Sequence, residues 1–323
     1  MRRWALAVAA VVALLVAGFT LSPWPGVLLI RMIFDKGAAE ASEALAPRVP
    51  AEVATTTLRY DAEDPAAVLD IYRSPDQAAR GPLVVWVHGG GFVSGRRQDV
   101  ANYLKILAGE GFTVANIDYT IAPEARYPTP IRQVTQAMAY LHRESAALEL
   151  DGARFVLAGD SAGAQIAAQT ATLATNPAYA RTLGIEAEGW PARLAGALLF
   201  CGVYDISELG QDGGLLGWFV QTTGWAYGGT RNWREDAGFA TIAFLPELTS
   251  RFPPAFISAG NADPLEGQSV ALAEALQAAG VPVETLFFPA EHTPPLGHEY
   301  QFDLGSEAGR LAFARMVAWL EAL

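Results

Sequence analysis

The sequence predicts an α/β fold, a mostly parallel and doubly wound sheet with a helical cap, and three observations predict it. From residue 83 onward, short apolar strands alternate with helical segments, which is the rhythm of a parallel sheet covered on both faces. One of those strands, Phe155-Val156-Leu157-Ala158, runs straight into Gly159-Asp160-Ser161-Ala162-Gly163 and then a helix. The stretch from Asp205 to Leu245 breaks the rhythm with glycines and the aromatic residues Trp218, Phe219, Trp225, Tyr227 and Trp233, as an inserted cap or a satellite packing cluster would.

The chain begins with Met1-Arg2-Arg3, followed by an uncharged apolar run from Trp4 to Leu21. That run is close to the minimum length of about 17 residues for a spanning helix. Residues 1–22 are therefore expected to form a membrane anchor, with the positive flank cytoplasmic and the rest of the chain extracytoplasmic. The alternative is a signal segment whose cleavage releases a secreted protein, although Ala17 and Gly18 make a poor Ala-x-Ala site. Residues 23–50 form an N-terminal cap region: Gly26 to Ala46 reads as an amphipathic helix, with Val27, Leu28, Ile30, Met32, Ile33 and Phe34 as its apolar residues.

Residues 51–323 then suit one large catalytic domain, with the cap insertion at about 206–245. Val53–Tyr60 and Ala67–Tyr72 suit an opening antiparallel pair. Leu83–Val87, Phe112–Ile117, Phe155–Ala158, Ala195–Phe200, Ala255–Ser258 and Val283–Phe288 are the strands of the rhythm. Helices are expected around Val100–Ala108, Pro130–Arg143, the segment after Ser161, Ser269–Ala279 and Glu307–Leu323. In such a sheet the ligand site lies beyond the carboxyl ends of the strands.

Composition narrows the function. The chain has 323 residues, and 34 acidic residues against 22 basic ones give a formal charge of −12, which repels nucleic acid and anionic lipid. One cysteine, Cys201, excludes a disulfide framework and a multi-thiolate zinc site, and four histidines leave little for a metal cage. No metal and no cofactor are expected. Cys201 ends an apolar run and reads as a buried strand residue.

The Gly-x-Ser-x-Gly segment carries the chemistry. A sharp strand-to-helix elbow, allowed by Gly159 and Gly163, presents the Ser161 hydroxyl at the sheet edge and sets the Ala162 amide at a helix N-terminus. Upstream, His88-Gly89-Gly90-Gly91 leaves another strand, and its glycines let backbone amides turn inward. The amides of Gly89, Gly90 and Ala162 are the expected oxyanion hole. A dinucleotide loop is disfavoured because Ser94 stands where its third glycine is required. His88 is expected to hold the glycine turn.

Taken together, His88-Gly89-Gly90-Gly91, Asp118-Tyr119-Thr120-Ile121-Ala122-Pro123-Glu124 and Gly159-Asp160-Ser161-Ala162-Gly163 resemble the three signature blocks of the hormone-sensitive-lipase-like esterases of the α/β-hydrolase fold. The resemblance covers roughly residues 50–323. It implies a helical cap, cofactor-free carboxylesterase chemistry and short or medium acyl esters as substrates. Thr120-Ile121 departs from the usual Arg-Leu of the middle block, and Asp118 and Glu124 read as loop-fixing residues.

The acid and base of a triad follow the serine in chain order in this fold. Asp263, in an Asp-Pro-Leu turn similar to the family's, is the expected acid and Asp205 the alternate. His298 is the expected base. His292 fits the usual distance from the acid, but Pro294-Pro295 reads as a loop insertion that displaces the true position to His298. His142 is expected on a solvated helix face. The same machinery serves amides, lactones and acyl sugars, and a non-catalytic binding protein could also retain the scaffold. The oligomeric state is not legible in the sequence.

Overall fold

A computed structural model describes residues 2–75, 80–150, 154–211 and 213–323; Met1 of the expected anchor and Asp212 of the expected cap lie outside them. Eight strands form one sheet in the order β1-β2-β4-β3-β5-β6-β7-β8. They are β1 (Ala54–Arg59), β2 (Val68–Arg73), β3 (Leu83–Val87), β4 (Val114–Ile117), β5 (Phe155–Asp160), β6 (Leu194–Phe200), β7 (Ala255–Ser258) and β8 (Val283–Leu286). The β1–β2 and β2–β4 pairs are antiparallel, and the remaining pairs are parallel.

Strand alternation divides the core into two layers. Leu83, Val85, Val87, Phe155 and Leu157 face one apolar cluster, while Val84, Trp86, Val156 and Ala158 face the other. A two-residue period buried on both sides requires apolar residues at every position, and β3 and β5 are buried throughout. Helices α3 (Arg97–Gly109) and α9 (Glu307–Ala322) cover one face. On the other lie α4 (Thr129–Arg143), α5 (Ala162–Thr175), α6 (Pro177–Leu183) and α8 (Glu266–Ala278).

Two N-terminal helices, α1 (Arg2–Leu21) and α2 (Trp24–Leu45), precede the sheet. Along α1 the side chains of Trp4, Leu6, Val8, Val11, Val12, Val16, Phe19 and Leu21 are exposed. Among the described residues no single helix is long and apolar enough to cross a membrane; Leu6–Leu21 and Trp24–Arg48, bent by 86°, meet that criterion only as a pair. The expectation of one spanning helix is therefore not supported.

The cap stretch folds as α7 (Gly214–Gly228) and short 3₁₀ turns. Tyr227 and Trp233 are buried, and the rings of Phe92 and Tyr227 stack at 4.4 Å. Helix α7 also packs against α2, where the Phe34 and Phe219 rings lie 5.6 Å apart.

Candidate active site

The carboxyl ends of β3, β5, β7 and β8 converge on one side of the sheet, and each delivers a piece of the site. Ser161 stands between β5 and α5 with φ 51° and ψ −121°, a conformation costly for a residue with a side chain. A Cβ on Gly163 would lie 2.0 Å from the Val87 carbonyl oxygen, so only glycine lets α5 start this close to β3. The Ser161 amide donates to the Phe200 carbonyl at 2.9 Å, tying the elbow to β6.

His298 Nε2 lies 2.9 Å from Ser161 Oγ, and its Nδ1 lies 2.9 Å from Asp263 Oδ2. The Asp263 side chain is 0% exposed, whereas that of His298 is 34% exposed. Asp263 Oδ1 also accepts from the Leu265 amide, which fixes the carboxylate in its turn. Burial opposes a charged imidazole, but the Cys201 sulfur, the Asp263 hydrogen bond and the Glu299 carboxylate favour it, and the pKa of His298 lies well above the ordinary value.

The alternates sit elsewhere. Asp205 accepts from the Ser207 amide and hydroxyl, capping a 3₁₀ turn. The His292 ring packs 4.8 Å from that of Phe288. The segment between His292 and His298 is pinned by Asn261, which donates to the carbonyls of Ala290 and His292 and accepts from the Leu296 amide. Asn261 was not singled out in the sequence, although it lies two residues before Asp263.

The glycine loop differs from expectation in one respect. The Gly89 amide donates to Asp160 Oδ2 at 2.9 Å, so it is not available to an oxyanion. Among the described residues, the amides of Gly90, Gly91 and Ala162 have no protein acceptor. The expected trio is therefore corrected to Gly90 and Ala162, with Gly91 replacing Gly89. His88 holds the turn: it is buried, its Nδ1 lies 2.8 Å from the Gly89 carbonyl oxygen, and its ring stacks on Tyr119 at 4.3 Å. Burial lowers its pKa, so it is neutral and donates from Nδ1.

Asp160 is a second carboxyl that sequence reasoning passed over. It takes hydrogen bonds from Trp86 Nε1 at 2.8 Å and from Gly89, and burial together with the Glu299 carboxylate pushes its pKa well above the carboxylate range. Glu299, in the left-handed region at φ 59°, brings Oε1 to 3.8 Å from His298 Nε2. Its position directly after His298 was the available signal.

Asp118 and Glu124 fix loops. Asp118 accepts from the Arg97 amide at 2.7 Å and pairs with its guanidinium. Glu124 pairs with Arg31 of α2 at 2.6 and 2.8 Å, and this hydrogen bond holds its pKa below the ordinary value. His142 is corrected: its Nδ1 is buried, and the ring packs so close to Gly189 that a Cβ there would lie 2.7 Å from it.

Ser161 and His298 open onto a cavity of ≈340 Å³, with Ile33, Phe34, Ala41 and Leu45 of α2 on one wall and Val100, Tyr103 and Phe302 on another. The cap tryptophans do not line it, so their aromatic surface serves packing. Cys201 is buried, with φ 44°, and burial raises its thiol pKa. Among the described residues, one group has the spacing of metal ligands: Cys201, Asp263 and His298, with donor atoms within 4.8 Å. Holding an ion there would occupy one ring nitrogen of His298 and cost it the bond to Asp263 or the bond to Ser161.

Residues 84–293 match a protein family described as alpha/beta hydrolase fold, a span of more than half the chain that contains all three signature blocks. The chain belongs to the α/β-hydrolase family. Among solved structures, this hydrolase is similar to esterase B from Lactobacillus rhamnosis, at 24% identity and a TM-score of 0.77, over 92% of this chain and 96% of that one. It is similar to the esterase of Pyrobaculum calidifontis, at 22% identity and TM-score 0.72, over 92% of each chain. LipW from Mycobacterium marinum, at 22% identity and TM-score 0.71, aligns over 92% of this hydrolase and 89% of its own length. At these identities the likeness speaks to the fold.

Proposed function

We propose that this α/β-hydrolase is a serine carboxylesterase for short or medium acyl esters, working through an acyl-enzyme. The carrying observation is the unbroken hydrogen-bond chain from Asp263 through His298 to Ser161 at a strained elbow facing an apolar cavity. His298 Nε2 takes the Ser161 proton as Oγ attacks the ester carbonyl, and then returns it to the departing alcohol. Asp263 orients the imidazole and stabilises its charged form. The Gly90, Gly91 and Ala162 amides receive the oxyanion, where losing one donor typically costs about 10²–10³ in kcat. Water admitted beside His298 releases the acid. Esterase B has also been solved with a C4-C4 SN3 tributyrin phosphonate, which supports a short-acyl reading here.

The test is fluorophosphonate labelling of the full chain, mapped by mass spectrometry. Wild type is expected to be modified at Ser161. Ser161→Ala, Asp263→Ala and His298→Ala lose labelling, with turnover reduced by about 10⁴–10⁶ for the serine and histidine, while His292→Ala labels normally. Labelling that survives His298→Ala and disappears in His292→Ala would sink the assignment of the base. The exposed apolar residues of α1 and the flank Arg2-Arg3 support attachment to a membrane through α1, with the catalytic domain on the extracytoplasmic side.

A further inference from the structure

We infer that α2 lies flat on the same bilayer that holds α1, and that the enzyme takes its substrate, an amphiphilic ester dissolved in that bilayer, through a mouth at the membrane surface; this rests on the esterase and membrane readings above. Four apolar side chains of α2 point away from the protein: Leu28 is 57% exposed, Leu29 41%, Met32 65% and Ile33 62%. Their spacing of three and four residues places them on one helix face, opposite the buried Val27 and Ile30. A water-facing helix would carry charge there, and the stripe does end in charge, at Lys36 and Glu40.

The direction of α1 identifies what covers this stripe. The two helices meet at 86°, and at the junction Gly18 stands against the ring of Pro25, where a Cβ would lie 3.6 Å from Cγ. Pro25 shares its helix face with Leu28, Leu29 and Met32 at offsets of three, four and seven. Helix α1 therefore departs from the side of α2 that carries the apolar stripe, nearly perpendicular to it. When α1 stands in a bilayer, the stripe rests on that bilayer's surface, with the half-exposed Trp24 at the corner where interfacial tryptophans gather. Leu6–Leu21 extends about 24 Å at 1.5 Å per residue, short of a hydrocarbon core of about 30 Å. The apolar stripe of α2 supplies further surface for lipid.

The active-site cavity opens at the same place. Ile33 belongs to the exposed stripe and also lines the cavity, one residue from Phe34 and one turn from Gly37, which line it too. An acyl chain leaving the lipid past Ile33 enters an apolar channel whose far end is Ser161, without crossing water. Arg31 fixes this arrangement from the inner face of α2, donating to the carbonyls of Val93 at 2.6 Å and Ala122 at 2.9 Å beside the glycine loop.

The experiment uses the full chain reconstituted in phosphatidylcholine vesicles. Met32→Cys and Gln277→Cys are each labelled with a fluorophore; Gln277 is exposed near the end of α8, at the opposite end of the sheet from the site, and the native Cys201 is buried and shielded from the reagent. The label at Met32 is expected to be quenched at least threefold more strongly by nitroxide-bearing lipid than the label at Gln277. Equal quenching at the two positions, or a Met32 label shielded from both lipid nitroxide and aqueous iodide as in pairing of two copies, overturns the proposal. A second measurement compares two aryl esters, a long-chain one dispersed in the vesicles and a short-chain one in water. Leu28→Glu with Met32→Glu is expected to slow the first tenfold or more and leave the second within twofold, and equal effects on both would refute delivery from the bilayer. If the wild type cleaves neither ester, the esterase reading fails by itself, and the lipid quenching still decides whether α2 docks.

Discussion

His298 has a carboxylate on each side of its ring: Asp263 at Nδ1 and Glu299 at 3.8 Å from Nε2. The imidazole must be neutral to accept the Ser161 proton. Because its pKa is raised above 6.5, kcat/KM is expected to be full above that raised pKa and to fall as the pH drops through it, so the acid limb of the pH–rate profile lies above 6.5. Glu299→Gln removes one of the charges favouring imidazolium, which moves the limb to lower pH. A pair of charges near 4 Å in water is worth about 1 kcal/mol, a factor of ~5 in protonation, so at the foot of the limb the variant is expected to be severalfold faster than wild type. An unmoved limb would assign Glu299 no electrostatic part. At this scale the sequence was legible where a residue type at a fixed spacing has one use, as for Ser161 in its glycine frame. It was less legible for Gly89, because nothing in three successive glycines tells which amide a buried Asp160 will occupy.

Among the elements, those whose apolar residues repeat without interruption could be located to within a few residues: β7 spans Ala255–Ser258 as expected, and α9 begins at Glu307. The cap aromatics were ambiguous, since a ring contributes the same apolar area to a core as to a ligand pocket; Tyr227 stacked on Phe92 and the buried Trp233 serve packing, whereas Phe219 stands against Gly91 of the glycine loop. Two predictions belong here. Arg31→Met removes the donors holding α2 to Val93, Ala122 and Glu124, and should lower stability by about 1–3 kcal/mol while raising KM, as read from urea midpoints and initial rates. Gly163→Ala drives a Cβ against Val87 and should cost more than ~3 kcal/mol, whereas Gly267→Ala in α8, with nothing within 4 Å, should stabilise by roughly 0.5–1 kcal/mol. Urea unfolding of both variants checks the contrast.

The whole molecule carries a net charge of −12, which sets it against anionic lipid even as its N-terminal helices present apolar surface. The full chain is therefore expected to bind phosphatidylcholine vesicles more tightly than phosphatidylserine vesicles at low salt, and the gap should narrow by 0.5 M NaCl as repulsion is screened. Sedimentation with vesicles measures it, and a gap that widens with salt would contradict an electrostatic origin. The largely parallel sheet and the side of it bearing the site follow from the alternation of strands and helices, but the crossover order β2-β4-β3-β5 and the placement of α2 do not. Nothing in residues 24–45 names Glu124 as the partner of Arg31, ninety-three positions away. That one ion pair also changes what the N-terminal region is for. Ile33, Phe34, Ala41 and Leu45 form a wall of the cavity, so a chain shortened to begin at the first strand would lack part of its own active site, and the boundary for a functional shortened form falls ahead of Trp24.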